Sequence, residues 1–420
     1  MAHEQGAPGL SRGRRIRRTA ATAGLTLLLL IYVGNLLLTR YVFDALPAPV
    51  LPPLTAVEGV GTLSVKQCSR CHPDAAREWA ASRHAVAQTN AVYQADLAQQ
   101  GSPFFCAYCH TPLVAQRPHL VDGLSTVWPR LRTSTRENPD YQPALRDEGV
   151  NCVACHQRDG ALVGTRHVEA PHPTRAEPDF GGVTNCAPCH RFDISVGTEL
   201  QRPIIDTLAE WALYRRQGGT EQCVDCHMPM VTRPVAVGRP SRPTRNHRVL
   251  GPRDPDFVAA HLQIDDLKCV IDEHGVTGTV TLTNGAGHNF PTADPARSVD
   301  VIIDGRGADA RPVQVARARL QRYIDLDRYL EPPDRDTSLA PGERRAVSLK
   351  TALPKSLTTA EIIVRFVIRD VTDPLAVAAG LDPAELAYPL GRAKCNGPGA
   401  PVAPTQRPGP PVDAAEHQVQ

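Results

Sequence analysis

Twenty-one residues without a formal charge, Thr19 to Thr39, separate Arg18 from Arg40 and include the runs Leu25–Ile31 and Leu36–Leu38. At 1.5 Å per residue a helix of that length spans about 30 Å, the hydrocarbon thickness of a bilayer. The run has no polar face, which disfavours a buried helix of a soluble domain. Five arginines precede it and one follows, an asymmetry that keeps the N-terminus cytoplasmic and exports the rest. Tyr41 and Phe43 would sit at the far interface. A cleaved signal peptide is the alternative, but the run is longer than usual and no convincing small-x-small site precedes Ala45–Pro53. Leu46–Leu54 holds four prolines and reads as a stiff spacer. Further on, Pro73 suits a first helical turn, and the pattern predicts a helix over Asp74–Gln99 that stops before Gly101-Ser102-Pro103. After about Asp254 the period changes to two. Val276–Asn284, Ser298–Asp304, Arg345–Lys350 and Glu361–Asp370 read as strands separated by Asn-Gly, Asp-Gly and Pro-Gly turns, the pattern of a β-sandwich. Residues 396–412 hold six of the 39 prolines and read as a disordered tail.

Composition sharpens this outline through cysteine. Ten of the 12 Cys fall in five copies of one pattern: Cys68-Ser-Arg-Cys71-His72, Cys106-Ala-Tyr-Cys109-His110, Cys152-Val-Ala-Cys155-His156, Cys186-Ala-Pro-Cys189-His190 and Cys223-Val-Asp-Cys226-His227. Each is C-x-x-C-H, the attachment signature of c-type haem. Two thiols add to the two haem vinyl groups, a two-residue spacer lets both sulfurs reach one edge of the macrocycle, and the next residue supplies the proximal imidazole. Zinc knuckles have no reason to place His after every second Cys. Given 15 His in 420 residues, five such placements by chance have a probability on the order of 10⁻⁷. Five covalently attached c-type haems are therefore expected. Cys269 and Cys395 remain, and in an exported protein a disulfide between them is expected. Aromatic residues make up only 5% of the chain, which fits a core built from porphyrin.

These readings divide the chain into a basic cytoplasmic segment (1–18), a transmembrane anchor (19–40), a Pro-rich linker (41–63), a mainly α and irregular pentahaem domain (64–252), an all-β sandwich-like domain (253–393) and a tail (394–420). The net charge of +2 argues against nucleic acid as a partner. Arg12, Arg14, Arg15, Arg17 and Arg18 against Glu4 place the basic character at the N-terminus, so the exported part is mildly acidic and haem propionates make it more so. Redox partners with basic surfaces are then expected, and the anchor would hold the chain near a quinol-linked or other membrane donor in the inner membrane, with the haems facing the periplasm.

Each iron needs a sixth ligand or an open position. Met is nearly absent, so mostly bis-histidine, low-potential haems are expected, with Met228 and Met230 packed in a turn around Pro229. His84, twelve residues after His72, is the first distal candidate; His247 and His288 follow. His119 and one of His167 or His172, from Pro- and Arg-rich loops, complete the set, with His172 taken forward. His274 reads as a turn residue, and His261 is unassigned.

The segment Cys68–His84 with its W-x-x-S-x-H, then Glu148-Gly149-Val150-Asn151, Glu210-Trp211, Cys226-His227-Met228-Pro229 and Gly287–Thr292, resembles the multihaem c-type cytochromes of the cytochrome c-554 kind in the version with a C-terminal β domain. The resemblance spans roughly 64–370. It implies distal positions for His84, His247 and His288 and a role in passing electrons among periplasmic or extracellular redox partners. The chain lacks the C-x-x-C-K of pentahaem nitrite reductases and the eight haems of hydroxylamine-oxidising relatives. A relay with no catalytic residue is the leading expectation. The alternative is an oxidoreductase with one open-site haem acting on a small nitrogen or sulfur compound. The β domain reads as a docking surface or as a lid over the haems.

Overall fold

The computed structural model describes residues 12–45, 51, 55–99, 104–127, 130–193, 202–308, 311–325 and 335–397. The first eleven residues, most of the proline spacer and the tail from 398 onward lie outside the described residues. Contacts divide the chain into two compact units, Met1–Pro47 with Pro118–Pro139, and Ala48–Arg117 with Asp140–Gln420.

In the first unit one helix runs Arg12–Ala45, extending past both ends of the uncharged run. Thr19–Tyr41, with a mean hydropathy of 2.0, is long and apolar enough to cross a membrane. Leu25 is 70% and Leu37 67% exposed, so this surface is not buried by protein. The helix also satisfies its own hydroxyls: Thr22 donates to Thr19 O, Thr26 to Thr22 O and Thr39 to Asn35 O, each at 2.9 Å. Apolar surroundings demand such internal satisfaction. The same unit contains an antiparallel hairpin, His119–Val127 with Arg130–Glu137, paired from His119↔Glu137 to Val127↔Arg130. Its residues read as a loop in the sequence, bracketed by Pro118 and Pro139.

The N-terminal part of the second unit has little protein core. Its attachment motifs form short helices, Ala107–His110, Cys152–His156, Val183–His190 and Cys223–His227 ending on the motif histidine and Val65–Cys68 ending on the first motif cysteine. The helix expected over Asp74–Gln99 is two helices, Pro73–Ala80 and Ala91–Gln99, joined by turns that carry His84. The break lets His84 leave the helical surface. The buried apolar side chains of this part form small groups, Leu113 with Val153 and Ala154, and Ile204 with Ile324. Met228 caps the fifth motif helix, whereas Met230 is 54% exposed and opens a strand, Met230–Pro234, rather than packing in a turn.

The C-terminal part is a seven-stranded sandwich. Strands β1 (Leu262–Asp272), β2 (Gly275–Asn284) and β5 (Arg344–Thr351) form one antiparallel sheet in the order β1-β2-β5. Strands β3 (Ser298–Arg306), β4 (Pro312–Leu320), β6 (Thr359–Val367) and β7 (Ala387–Lys394) form the other in the order β4-β3-β6-β7. Four of these match the strands read from alternation; β1, β4 and β7 were not read, their alternation being diluted by Asp, Arg and Pro. Val276, Val280 and Leu282 face Val299, Val301, Ile303, Ile362, Val364 and Phe366 in one continuous core. On the outer face of the second sheet Asp300 is fully buried, and its cross-strand neighbours on both sides are arginines, Arg319 at 2.7 Å and Arg365 at 3.2 Å. A buried carboxylate persists only when paired in this way.

Cys269 on β1 and Cys395 just after β7 form a disulfide across 126 residues, tying the two sheets. Ile271 N donates to Asn396 O and Asn396 N to Cys269 O, so Cys395 and Asn396 belong to the sandwich although they were read as the start of the tail. Because the loop is long, removing the bridge releases much denatured-state entropy. The double variant Cys269→Ser/Cys395→Ser is expected to lower unfolding stability of the sandwich by about 2–4 kcal/mol in a denaturant titration.

Candidate haem-attachment centre

Four of the five motif histidines end short helices and His72 caps the start of the next one, and four of the five have one ring nitrogen committed to a backbone carbonyl. Nδ1 of His72 meets Val235 O at 2.6 Å, Nδ1 of His110 meets Ala87 O at 2.7 Å, Nδ1 of His156 meets Val163 O at 2.8 Å and Nδ1 of His227 meets Leu250 O at 2.6 Å. A carbonyl only accepts, so Nδ1 carries the proton and Nε2 presents its lone pair. This arrangement fixes tautomer and ring orientation for metal ligation. Burial pushes His156 and His190 down to about 4 and lowers His110 and His227 as well, so these rings are neutral near pH 7.

Three motif histidines face a second imidazole. His156 and His247 have ring centres 6.2 Å apart with planes at 29°, His227 and His288 are 6.2 Å apart at 18°, and His84 and His190 are 6.4 Å apart at 65°. Stacked rings would lie closer. Two metal–nitrogen bonds of about 2 Å, plus the distance from nitrogen to ring centre, place bis-imidazole ring centres about 6.3 Å apart. The residues therefore fit one iron between each pair.

Local chemistry explains how each facing histidine is held. His84 is placed by Glu148-Gly149-Val150-Asn151. Glu148 accepts from Ser64 Oγ at 2.5 Å and Val65 N at 3.1 Å, capping the first motif helix. Val150 N donates to His84 O at 3.0 Å, and Trp79 Nε1 donates to Val150 O at 2.8 Å. Gly149, at φ +54°, is pressed so closely on the His84 and Ala85 carbonyls that a Cβ would collide with them. His247 is held by Glu78, which accepts from His247 N at 2.8 Å and receives the Arg233 guanidinium at 3.0 and 2.8 Å. His247 Nδ1 lies 3.7 Å from the same carboxylate. His288 sits on a β-domain loop gripped by Glu210, which accepts from Thr292 Oγ1 at 2.5 Å and Asn289 N at 3.2 Å. Burial raises the Glu210 carboxyl above its ordinary value, against the Thr292 hydrogen bond that lowers it.

The other candidates are placed differently. His119 is exposed at the start of the hairpin in the first unit. His172 is half-buried with Nδ1 3.4 Å from Pro173 O, and His167 is exposed against Thr174; neither ring faces a motif histidine. Their loop does adjoin the first motif, since Arg239 Nη2 donates to Glu169 O at 3.1 Å and Val237 N donates to Cys71 O at 2.8 Å. His110 has no facing imidazole among the described residues; its ring stacks on Tyr93 at 3.7 Å and 7°. His274 is exposed in a turn as read, and His261 packs against Phe257 with the ring planes at 53°. Glu78 was not singled out in the sequence. Its signal was the repeated dipeptide, Glu78-Trp79 and Glu210-Trp211, in which each Glu anchors a ligand-bearing segment.

The ten motif thiols are free and converge. Cys68 lies beside Cys152, Cys109 beside Cys189 and Cys186 beside Cys223, while Cys155 lies within electrostatic reach of Cys186 and Cys189. Motif one thus adjoins three, two adjoins four, four adjoins five, and three adjoins four. No motif stands alone.

Covalent attachment motifs that converge in this way, three of them with facing imidazoles, define the class: a multihaem c-type cytochrome fold. A solved structure agrees. A penta-heme cytochrome c552 from Thermochromatium tepidum superposes with a TM-score of 0.55 at 18% identity, over 79% of this chain and 98% of that one. No family model matches the chain and no curated protein matches it.

Proposed function

We propose that this protein is a membrane-anchored, periplasm-facing pentahaem c-type cytochrome that relays electrons between a membrane or periplasmic donor and a redox partner. The observation that carries it is the three imidazole pairs at iron-spanning separation, each pair including a C-x-x-C-H histidine. Bound haem supplies a one-electron iron couple at each motif. The chain does the remainder. The cysteine pairs hold each macrocycle by one edge, the backbone carbonyls orient the proximal rings, and Glu78, Gly149 and Glu210 place His247, His84 and His288 opposite them. Ligands held on both sides leave little to reorganise on electron transfer, and the converging motifs leave no gap in the relay. His172 or His167 completes the first site, because their loop is fastened beside Cys71.

The helix with self-satisfied hydroxyls serves as the anchor, with a quinol-linked donor within reach of the membrane surface and basic partners drawn to the acidic exported part. The β domain acts as a lid, since it delivers His288 to the fifth motif. Membership in the cytochrome c-554 kind is supported by the same segments that carry the resemblance, each of which fastens a ligand-bearing turn. Intact mass of the purified protein is expected to exceed the polypeptide by five haems, and a count of four or fewer would mean that a motif is unused.

A second reading is favoured by His110, whose ring lies flat against Tyr93 and faces no imidazole among the described residues. With no imidazole facing it, the second site would hold a five-coordinate iron able to take a small nitrogen or sulfur species. Low-temperature EPR of the oxidised protein separates the readings: a high-spin ferric signal equivalent to one haem supports the open site, and an all-low-spin spectrum supports a pure relay.

A further inference from the structure

Outside the ligand set, the second unit gathers guanidiniums beside the fourth motif, among them the half-buried Arg297 and the exposed Arg83. Arg297 Nη1 donates to Thr292 O at 3.2 Å, but its Nε is shielded from solvent and has no hydrogen-bond partner. Neither Arg297 nor Arg83 makes an ion pair among the described residues, whereas nearby Arg253 has Glu385 at 3.6 Å and Arg369 has Asp294 at 3.2 Å and Asp373 at 2.7 Å. The local carboxylates are thus already engaged. Burial, with the neighbouring Arg369 and Arg253 guanidiniums, lowers Arg297 from its ordinary value against the opposing pull of the Asp294 carboxylate. Arg297 lies within electrostatic reach of His190 and of His288, and Arg83, which directly precedes His84, lies within reach of Arg297, so the two guanidiniums together flank the His190–His84 pair.

We infer that Arg297 and Arg83 bind the propionate carboxylates of the haem held between His190 and His84. The inference rests on the five-haem reading above. Cys186 and Cys189 hold the vinyl edge, so the carboxylate edge faces away from them and requires cationic partners inside the protein. Guanidinium suits a carboxylate because its planar fork can donate two parallel hydrogen bonds. Fixed cations at this position neutralise the propionates and so favour ferrous over ferric iron, in a medium where charge is weakly screened.

Potentiometric titration of the haem-loaded protein tests this. Arg297→Gln is expected to move the midpoint of one haem negative by a tenfold change in its reduction equilibrium, about 59 mV for a one-electron couple, and Arg297→Lys should recover most of the shift. Intact mass separates the two levels of inference: five haems with no potential moved overturns the propionate assignment, whereas fewer than five in the wild type overturns the haem reading. If Arg297→Gln impairs maturation, Arg83→Gln at an exposed position carries the same expectation. The wild type is also titrated with nitrite and with sulfate. An unmoved potential supports propionate binding; a saturable shift that Arg297→Gln abolishes would show that the cluster takes a free anion and would sink the assignment.

Discussion

His84→Ala should convert one of the five haems to a high-spin state that binds carbon monoxide, leaving the haem count unchanged. The variant removes an imidazole whose ring centre stands 6.4 Å from that of His190, and no other histidine ring faces His190. His84 sits on turns between two helices, so truncation takes away a ligand without breaking a helix. Attachment through Cys186 and Cys189 does not depend on it. The site also has a distinguishing mark. Its planes cross at 65°, against 29° and 18° in the other two pairs. Crossed and near-parallel imidazoles give different low-spin EPR signals, so the signal lost should be the crossed one. Gly149→Val tests the support rather than the ligand. A side chain there must displace the His84 carbonyl, so partial conversion of the same haem is expected. Unchanged spectra in His84→Ala, with no carbon monoxide binding, would remove His84 from the ligand set.

The chain produced without haem attachment should keep its β-sandwich and lose the rest. Strands β1 to β7 enclose a continuous apolar core and are closed by the Cys269–Cys395 bridge, so their stability does not draw on porphyrin. In the preceding part the described buried apolar side chains are scattered, Val65, Tyr93, Tyr108, Leu145 and Val163 among them, and the clusters they form are small, Leu113 with Val153 and Ala154, and Ile204 with Ile324. Paired imidazoles with nothing between them add a cost, since buried polar atoms such as His247 Nδ1 go unpaired. Too little apolar area is then buried to offset the backbone entropy of some 160 residues between Val65 and His227, at about 1–2 kcal/mol each. Hydrogen exchange read by mass spectrometry is expected to show protected amides in Leu262–Lys394 and near-unprotected amides across Val65–His227. Protection of the latter in the haem-free chain would mean that porphyrin is not its core.

Legibility differed sharply between parts of the molecule. The motif residues were readable because thioether attachment and ligation are local: five consecutive residues suffice, and no distant contact alters what they can do. The apolar run was readable because length and absence of charge are properties of a segment. The four alternating strands were readable for the same reason, while β1, β4 and β7 were hidden because Asp265, Arg317, Arg319 and Pro389 interrupt their pattern and are tolerated only by cross-strand or edge placement. The hairpin at His119–Glu137 was hidden for the same reason, its Asp122, Arg132 and Arg136 interrupting the alternation.

The sequence by itself determined how many haems the chain can attach, by which sulfurs, on which proximal rings, and that one segment can span a bilayer. Tertiary structure decided the partners: His190 with His84 over a separation of more than a hundred residues, His156 with His247, and His227 with a histidine borne by the β domain. The physical reason is that a sixth ligand is recruited through space, by a carboxylate such as Glu78 or a glycine such as Gly149 that places a distant loop. Nothing in the spacing of histidines along the chain encodes that placement.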